Sequence, residues 1–387
     1  MSDATITVAP RGAARWRHGH PWIYRSDVED ARVPAGIVRV SDGRRVLGQA
    51  LWSPASEIRL RLLTTDDVTI DTAWWEARIR AALARRAALD PPASAYRVVH
   101  TEGDGLPSLI VDRYGPYVVA QLLSAGLEAV RADVLTAIDR VLAPEGVLLR
   151  NDASVRRHER LALAVETVRG TVPDPLEVDE GGIRYLASPH HGQKTGAFLD
   201  QRENHARMGR LARGRALDCF TYHGLFALHM ARRADEVIGV DSSAPALALA
   251  ERNRALNGLG NVRWMEANAF DLLRDFERAD ERFETIVLDP PAFAKDRRAV
   301  PAALRGYKEI NLRALRLLTP GGRLFTASCS FHVDRTRFLD MLADAARDSG
   351  RAAVLEATVG QSADHPELLT VPETGYLKGA IVRVDGP

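Results

Sequence analysis

The sequence predicts an α/β protein whose C-terminal part is a doubly wound, Rossmann-like parallel sheet, preceded by a small all-β module and a central α+β part. Three observations carry this. Beyond about residue 188, short β-type runs alternate with apolar-periodic stretches long enough for helices. The first seventy or so residues hold β-type runs separated by turns, and the stretch between mixes strands with two helices. At 387 residues the chain is long enough for about two to three domains. We therefore expect domains at 1–72, 73–188 and 189–387.

In the first domain, Gly36–Val40 and Val46–Trp52 read as strands around a Ser41-Asp42-Gly43-Arg44 turn. Ahead of them, Arg11, Arg15 and Arg17 interleave with Trp16, Trp22 and Tyr24. Such a stretch can pair with phosphates while its rings stack on bases; it can equally pack a small core and leave its arginines in water. In the central domain, Trp74–Leu89 reads as a helix stopped by Pro91-Pro92, and Ser108–Asp112 and Tyr117–Leu123 read as strands around Tyr114-Gly115-Pro116. A single helix over Leu127–Leu142 and a strand at Gly146–Leu149 follow, with no catalytic constellation among them. In the third domain the strands are Ala216–Phe220, Glu236–Val240, Val262–Glu266, Thr285–Leu288 and Arg323–Ala327. Ala352–Glu356 and Leu377–Val384 close the sheet, the last as an antiparallel hairpin strand.

Composition excludes several classes. A hydrophobic fraction of 46% with 27% charged residues is that of a globular protein, and no apolar run approaches the roughly 18 residues of a membrane span. The first residues carry no basic stretch followed by an apolar one, so a cytoplasmic location without a membrane is expected. Two cysteines, Cys219 and Cys329, allow neither a disulfide framework nor a four-cysteine zinc site. The adjacent His190 and His191 would point to opposite sides of an extended segment, so no metal is assigned. Net charge is +1, but only four of the 52 basic residues are lysine (Lys194, Lys295, Lys308, Lys378). The arginine excess suits bidentate phosphate contacts, and arginine-rich codon usage explains it as well.

In a doubly wound sheet, ligands bind at the carboxyl ends of the strands. After the first strand comes Asp218-Cys219-Phe220-Thr221-Tyr222-His223-Gly224, with one glycine where a dinucleotide fingerprint has three, which argues against NAD or FAD. Asp241, with Ser242 beside it, ends the second strand and can accept the ribose hydroxyls of an adenosine. Asn268, Ala269 and Phe270 follow the third strand, where they can edge and stack an adenine. A nucleoside without phosphates points to S-adenosylmethionine. Upstream, Phe198, Gln201 and Arg202 approach a helix start that can take the methionine carboxylate, although Asp200 and Gln201 suit plain helix capping too.

The fourth strand ends in Asp289-Pro290-Pro291-Ala292-Phe293. Successive prolines make a rigid turn without amide donors, so Asp289 and the turn carbonyls can accept from a nitrogen base while Phe293 stacks on it. The same turn would serve a methyltransferase acting on an exocyclic amine. Cys329, in Ser328-Cys329-Ser330 after the next strand, favours carbon: cytosine C5 becomes nucleophilic once a thiolate has added to C6, whereas an amine needs no thiolate. Cys219 reads as packing. Two alternatives stay open, an exocyclic-amine (guanine N2) enzyme and a non-catalytic RNA-binding or assembly factor.

These stretches resemble the RlmI-like bacterial 23S ribosomal RNA (cytosine-5) methyltransferase family. The resemblance spans nearly the whole chain. It includes Gly19-His20-Pro21-Trp22, Lys194-Thr195-Gly196, Leu199 to Arg202, Leu217 to Tyr222, the proline turn, Ser328-Cys329-Ser330, Asp364-His365-Pro366 and Tyr376-Leu377-Lys378-Gly379. It implies an N-terminal PUA domain, a class I S-adenosylmethionine-dependent methyltransferase domain, 23S ribosomal RNA as partner and Lys194 among the substrate-binding residues. It leaves a homodimer open. His223 departs from the small hydroxyl residue usual there. The proline turn also lacks the second cysteine with which some RNA cytosine-5 enzymes assist release.

Overall fold

In a computed structural model that describes residues 4–29, 31–294 and 296–386, the chain divides into two units. One runs to Val178 and includes Ala187–Leu199 and Ala363–Thr374; the other holds Asp179–Leu186, Asp200–Ser362 and the chain from Gly375.

The first unit contains two five-stranded sheets. Strands β1 (Thr5–Thr7), β2 (Trp22–Tyr24), β3 (Gly36–Ser41), β4 (Val46–Trp52) and β5 (Ile58–Thr64) form one, in the order β1-β3-β4-β5-β2. The arginine and aromatic stretch is largely built into this module. Pro10–Arg17 is a helix with Trp16 buried, Arg11 bonds Asp27 at 2.8 Å, and the Arg15 guanidinium lies 4.5 Å over the Tyr24 ring.

The other sheet has the order β10-β9-β8-β7-β6, from β6 (Ala95–His100), β7 (Leu109–Tyr114), β8 (Tyr117–Leu122), β9 (Gly146–Asn151) and β10 (Ala164–Arg169). Trp75, Ile79, Val134 and Ile138 pack the helices Thr72–Ala84 and Arg131–Leu142 into its core with Val98, Val111 and Ala120. The helix expected over Leu127–Leu142 is broken. Ser124 caps a short helix at Ala125–Glu128, and Val130 (φ −111°, ψ 20°) leaves helical geometry before the next begins. The helix expected to reach Leu89 ends at Ala84, and the turn after it puts the buried Arg86 guanidinium on both oxygens of Asp104, at 2.6 and 2.7 Å. Arg97 grips Asp112 in the same two-pronged way, at 2.7 and 2.8 Å. Asp364, from the returning segment, accepts from the Arg97 amide through its side chain and from Arg86 through its carbonyl. A two-stranded ribbon, β11 (Leu176–Glu180) and β12 (Ile183–Ala187), follows this sheet in the chain.

The second unit is built on one seven-stranded sheet in the order β15-β14-β13-β16-β17-β19-β18. Its strands are β13 (Arg215–Cys219), β14 (Glu236–Asp241), β15 (Val262–Glu266), β16 (Phe283–Leu288), β17 (Leu318–Ser328), β18 (Ala352–Gly360) and β19 (Lys378–Asp385). The first five pair in parallel; β19 is antiparallel to both neighbours, as the sequence predicts. The inner strands are buried on both faces and apolar at successive positions, while the outer strands β15 and β18 are largely exposed. Leu217, Ile238, Ile286 and Leu324 face Tyr307, Ile310 and Phe338, while Ala216, Val237, Val287 and Phe325 face Met208, Phe226 and Met230. The strand order reverses between β13 and β16, which opens a crevice at their carboxyl ends.

Candidate active site

The loop after β13 is held in an uncommon backbone shape. Phe220 (φ 65°) and Tyr222 (φ 49°) are left-handed without being glycine, a strain that persists only where surroundings enforce it. Gly224 (φ 85°) has to be glycine, because a Cβ there would lie 2.6 Å from the Trp264 ring. Hydrogen bonds from the Thr221 amide to the Val240 carbonyl and from the Tyr222 amide to Asp241 Oδ2, each 2.9 Å, tie the loop to β14. Asp241 Oδ1 accepts from the Ser243 amide at 2.9 Å. Each carboxylate oxygen can accept a further bond, so Asp241 can hold the loop and bind ribose hydroxyls together.

Asp218 is wholly buried. Its Oδ2 accepts from the Thr221 hydroxyl and, at 3.0 Å, from the Ala227 amide, while Oδ1 is buried without a hydrogen-bond partner. Burial pushes its pKa up to about 7 against those two bonds, and the charge of Asp289 adds to the rise. An orphaned buried oxygen at a strand end is what a polar ligand group would satisfy. His223, 6% exposed, stacks beneath Tyr222 at 3.6 Å between ring centroids, and burial lowers its pKa to about 4, so it is neutral.

Asn268 caps the helix Ala269–Arg278 through the Phe270 amide at 2.9 Å, and Ser242 is exposed. Gln201 and Arg202 are buried, Arg202 to 1% exposure, and Gln201 accepts from Asn204. Lys194 and Phe198 lie in the first unit, the lysine Nζ 4.6 Å over the phenyl ring.

At the next two strand ends the proline turn and the Cys329 loop are joined. The Ala294 amide donates to Ser330 Oγ at 3.1 Å, and the Tyr307 hydroxyl lies 2.9 Å from the same oxygen. Phe293 packs its ring 4.5 Å from Tyr307, 5.7 Å from Phe270 and 6.5 Å from Phe220. The residues expected to stack adenine and base therefore form one aromatic wall. Pro290 is buried, and Asp289 and Cys329 are partly exposed. Cys219 is fully buried, and burial pushes its thiol far above the ordinary range, which makes it inert packing.

Comparison with known proteins agrees with this layout. Residues 124–381 match the family described as S-adenosylmethionine-dependent methyltransferase, and residues 6–65 match a PUA-like domain. Ribosomal RNA large subunit methyltransferase I of Shewanella amazonensis is 39% identical, across 94% of this chain and 95% of its own. Its namesake in Aeromonas hydrophila is 38% identical across 99% and 100%. The chain belongs to this methyltransferase family.

S-adenosylmethionine is accordingly its cofactor, and the strand-end loops, with the orphaned Asp218 oxygen and the spare acceptors of Asp241, fit an adenosine-bearing ligand. Two solved structures, a candidate methyltransferase from Streptococcus mutans and another solved with SAH, superpose with TM-scores of 0.82 and 0.83. Each covers 98% of this chain and 100% of its own, at 19% identity, so the likeness is one of fold. Among the described residues no helix is long and apolar enough to cross a membrane.

Motif reading leaves Tyr307 unmarked and gives Ser330 only as a neighbour of Cys329. Tyr307 is one tyrosine in an 18-residue helix, Val300–Leu317, and nothing local reveals that it reaches the proline turn. Lys378 belongs to a stretch carrying the resemblance, but only the structure shows where its amine goes: Nζ donates to the carbonyls of Ser330 and Tyr376, at 2.7 and 2.9 Å.

Proposed function

We propose that this enzyme methylates C5 of a cytosine in large-subunit (23S) ribosomal RNA, with Cys329 as a covalent nucleophile. The supporting observation is the partly exposed Cys329 on a loop fastened to the Asp289 turn through Ser330. A flipped cytosine between them meets a thiol on one side and a carboxyl group on the other. The Cys329 thiolate gives an electron pair to C6, forming the S–C6 bond. The C5–C6 π pair shifts through C4 towards N3, where a proton is taken up with Asp289 at that edge. S-adenosylmethionine, when bound, supplies an electrophilic methyl group to C5. Loss of the C5 proton to a base, with return of the N3 proton to Asp289, then restores the ring and expels the thiolate.

In this reading Asp218, Phe220, Tyr222, Gly224, Asp241, Ser242, Asn268, Ala269, Phe270, Asp289, Phe198, Gln201 and Arg202 hold the cofactor. Pro290, Pro291, Phe293 and Lys194 meet the RNA. Residues 1–72 bind RNA, 73–188 form the central domain and 189–387 the catalytic one, in a cytoplasmic enzyme whose homodimer stays an open alternative.

Purified wild-type enzyme is expected to form 5-methylcytidine in ribosomal RNA, measured by nucleoside mass spectrometry. Cys329→Ala should reduce it to background while S-adenosylmethionine binding, followed by calorimetry, persists. Full activity in Cys329→Ala would overturn the covalent mechanism, and methylguanosine as the product would replace carbon with exocyclic-amine transfer.

A further inference from the structure

Lys378 opens β19, directly across from Ser328 in the antiparallel ladder. The strands approach closely there because the next residue is Gly379, where a Cβ would lie 2.8 Å from the Thr326 carbonyl. The lysine is 5% exposed. Its Nζ donates to two carbonyls, one of them that of Ser330, the residue after Cys329. Among the described residues no carboxylate stands within ion-pair distance of it. A buried ammonium held only by carbonyls is unfavourable unless an anion lies near, and the ladder partner Ser328 and the bonded Ser330 bracket one candidate, Cys329.

We propose that Lys378 is a positioning residue that acts through Cys329, its buried ammonium keeping the thiol ionised for attack. The inference rests on the reading of Cys329 as nucleophile. Burial lowers the Lys378 pKa to about 8 and the Cys329 charge opposes that drop, so the amine is largely protonated at neutral pH. The Cys329 proton leaves to water, Lys378 keeps its own, and the sulfur is left with the electron pair that forms the bond to C6. The other groups facing the pair are Tyr307, whose hydroxyl reaches Ser330, and Asp334 and Arg335, which act on the lysine in opposite senses.

The test reads the thiol itself. Cys219 is wholly buried, so iodoacetamide reports on Cys329 in the folded protein, with the adduct located by peptide mass spectrometry. In the wild type the alkylation rate should titrate below the ordinary cysteine value of about 8.5. In Lys378→Met the midpoint should rise by a unit or so, with roughly a tenfold loss of rate at pH 7. The kcat–pH profile should shift the same way, and Lys378→Arg should restore part of both. A wild-type midpoint at or above about 8.5 overturns the proposal without any variant, as does an unchanged midpoint in a folded Lys378→Met. A shifted midpoint together with full methylation by Cys329→Ala would uphold the lysine effect and reject Cys329 as nucleophile instead.

Discussion

In the central sheet of the first unit, deep charges come in matched sets: Arg86 with Asp104, Arg97 with Asp112. At the carboxyl ends of the seven-stranded sheet they do not. Asp218 is buried with an oxygen unanswered, Lys378 is buried on carbonyls alone, and His223 is held neutral by burial. The first arrangement fixes geometry, because a bidentate pair tolerates one orientation. The second stores ionisable groups with displaced pKa values where a ligand or a reacting atom completes them.

The largest expected difference is in stability. Asp112→Asn would leave the Arg97 guanidinium buried without its carboxylate and should cost on the order of 3–5 kcal/mol, read as a drop in the urea midpoint. An unchanged midpoint would mean that the matched pairs are not structural.

His223 comes next. Its folded pKa, about 4, lies below the unfolded value of about 6.5. Between these values the unfolded chain binds a proton that the folded one does not. Stability is therefore full above the unfolded pKa and falls as pH drops towards the folded one, by on the order of 3 kcal/mol. His223→Gln should remove that component from unfolding free energies measured between pH 7 and 4, and an unaltered slope would assign it elsewhere.

The smallest loss is expected at Asp218. Burial raises its carboxyl pKa to about 7, which costs stability at pH 7, where the unfolded carboxyl is ionised, so the neutral Asp218→Asn should lose none. A loss matching that of Asp112→Asn would erase the distinction between the two regions.

The inner strands of the second unit were legible as apolar runs with both faces buried, the exposed outer ones as short β-type runs between helices, and the loops after the parallel strands followed from the rule that ligands bind at their carboxyl ends. The break at Val130 was hidden, since the apolar spacing continues through it while the backbone does not. The same limit applied at the site. Asp218 lies within a predicted strand and Asp289 and Cys329 follow theirs, but the Tyr307–Ser330 link and the Lys378 amine depend on a distant helix and on a strand entering antiparallel from the C-terminal end. Such contacts depend on tertiary placement, which local periodicity does not encode. The arginines near the N-terminus taught the converse: Arg11 and Arg15 resembled a nucleic-acid arm, and the structure sets both against Asp27.

The route of the backbone has a consequence during synthesis. Asp364 meets Arg97 and Arg86 across 267 and 278 residues of chain, so those buried arginines lack their last acceptors until the chain has emerged as far as Asp364. The N-terminal unit, although translated first, is thereby completed late. Cutting the catalytic sheet out as one continuous fragment would also remove the strand of chain that finishes its predecessor.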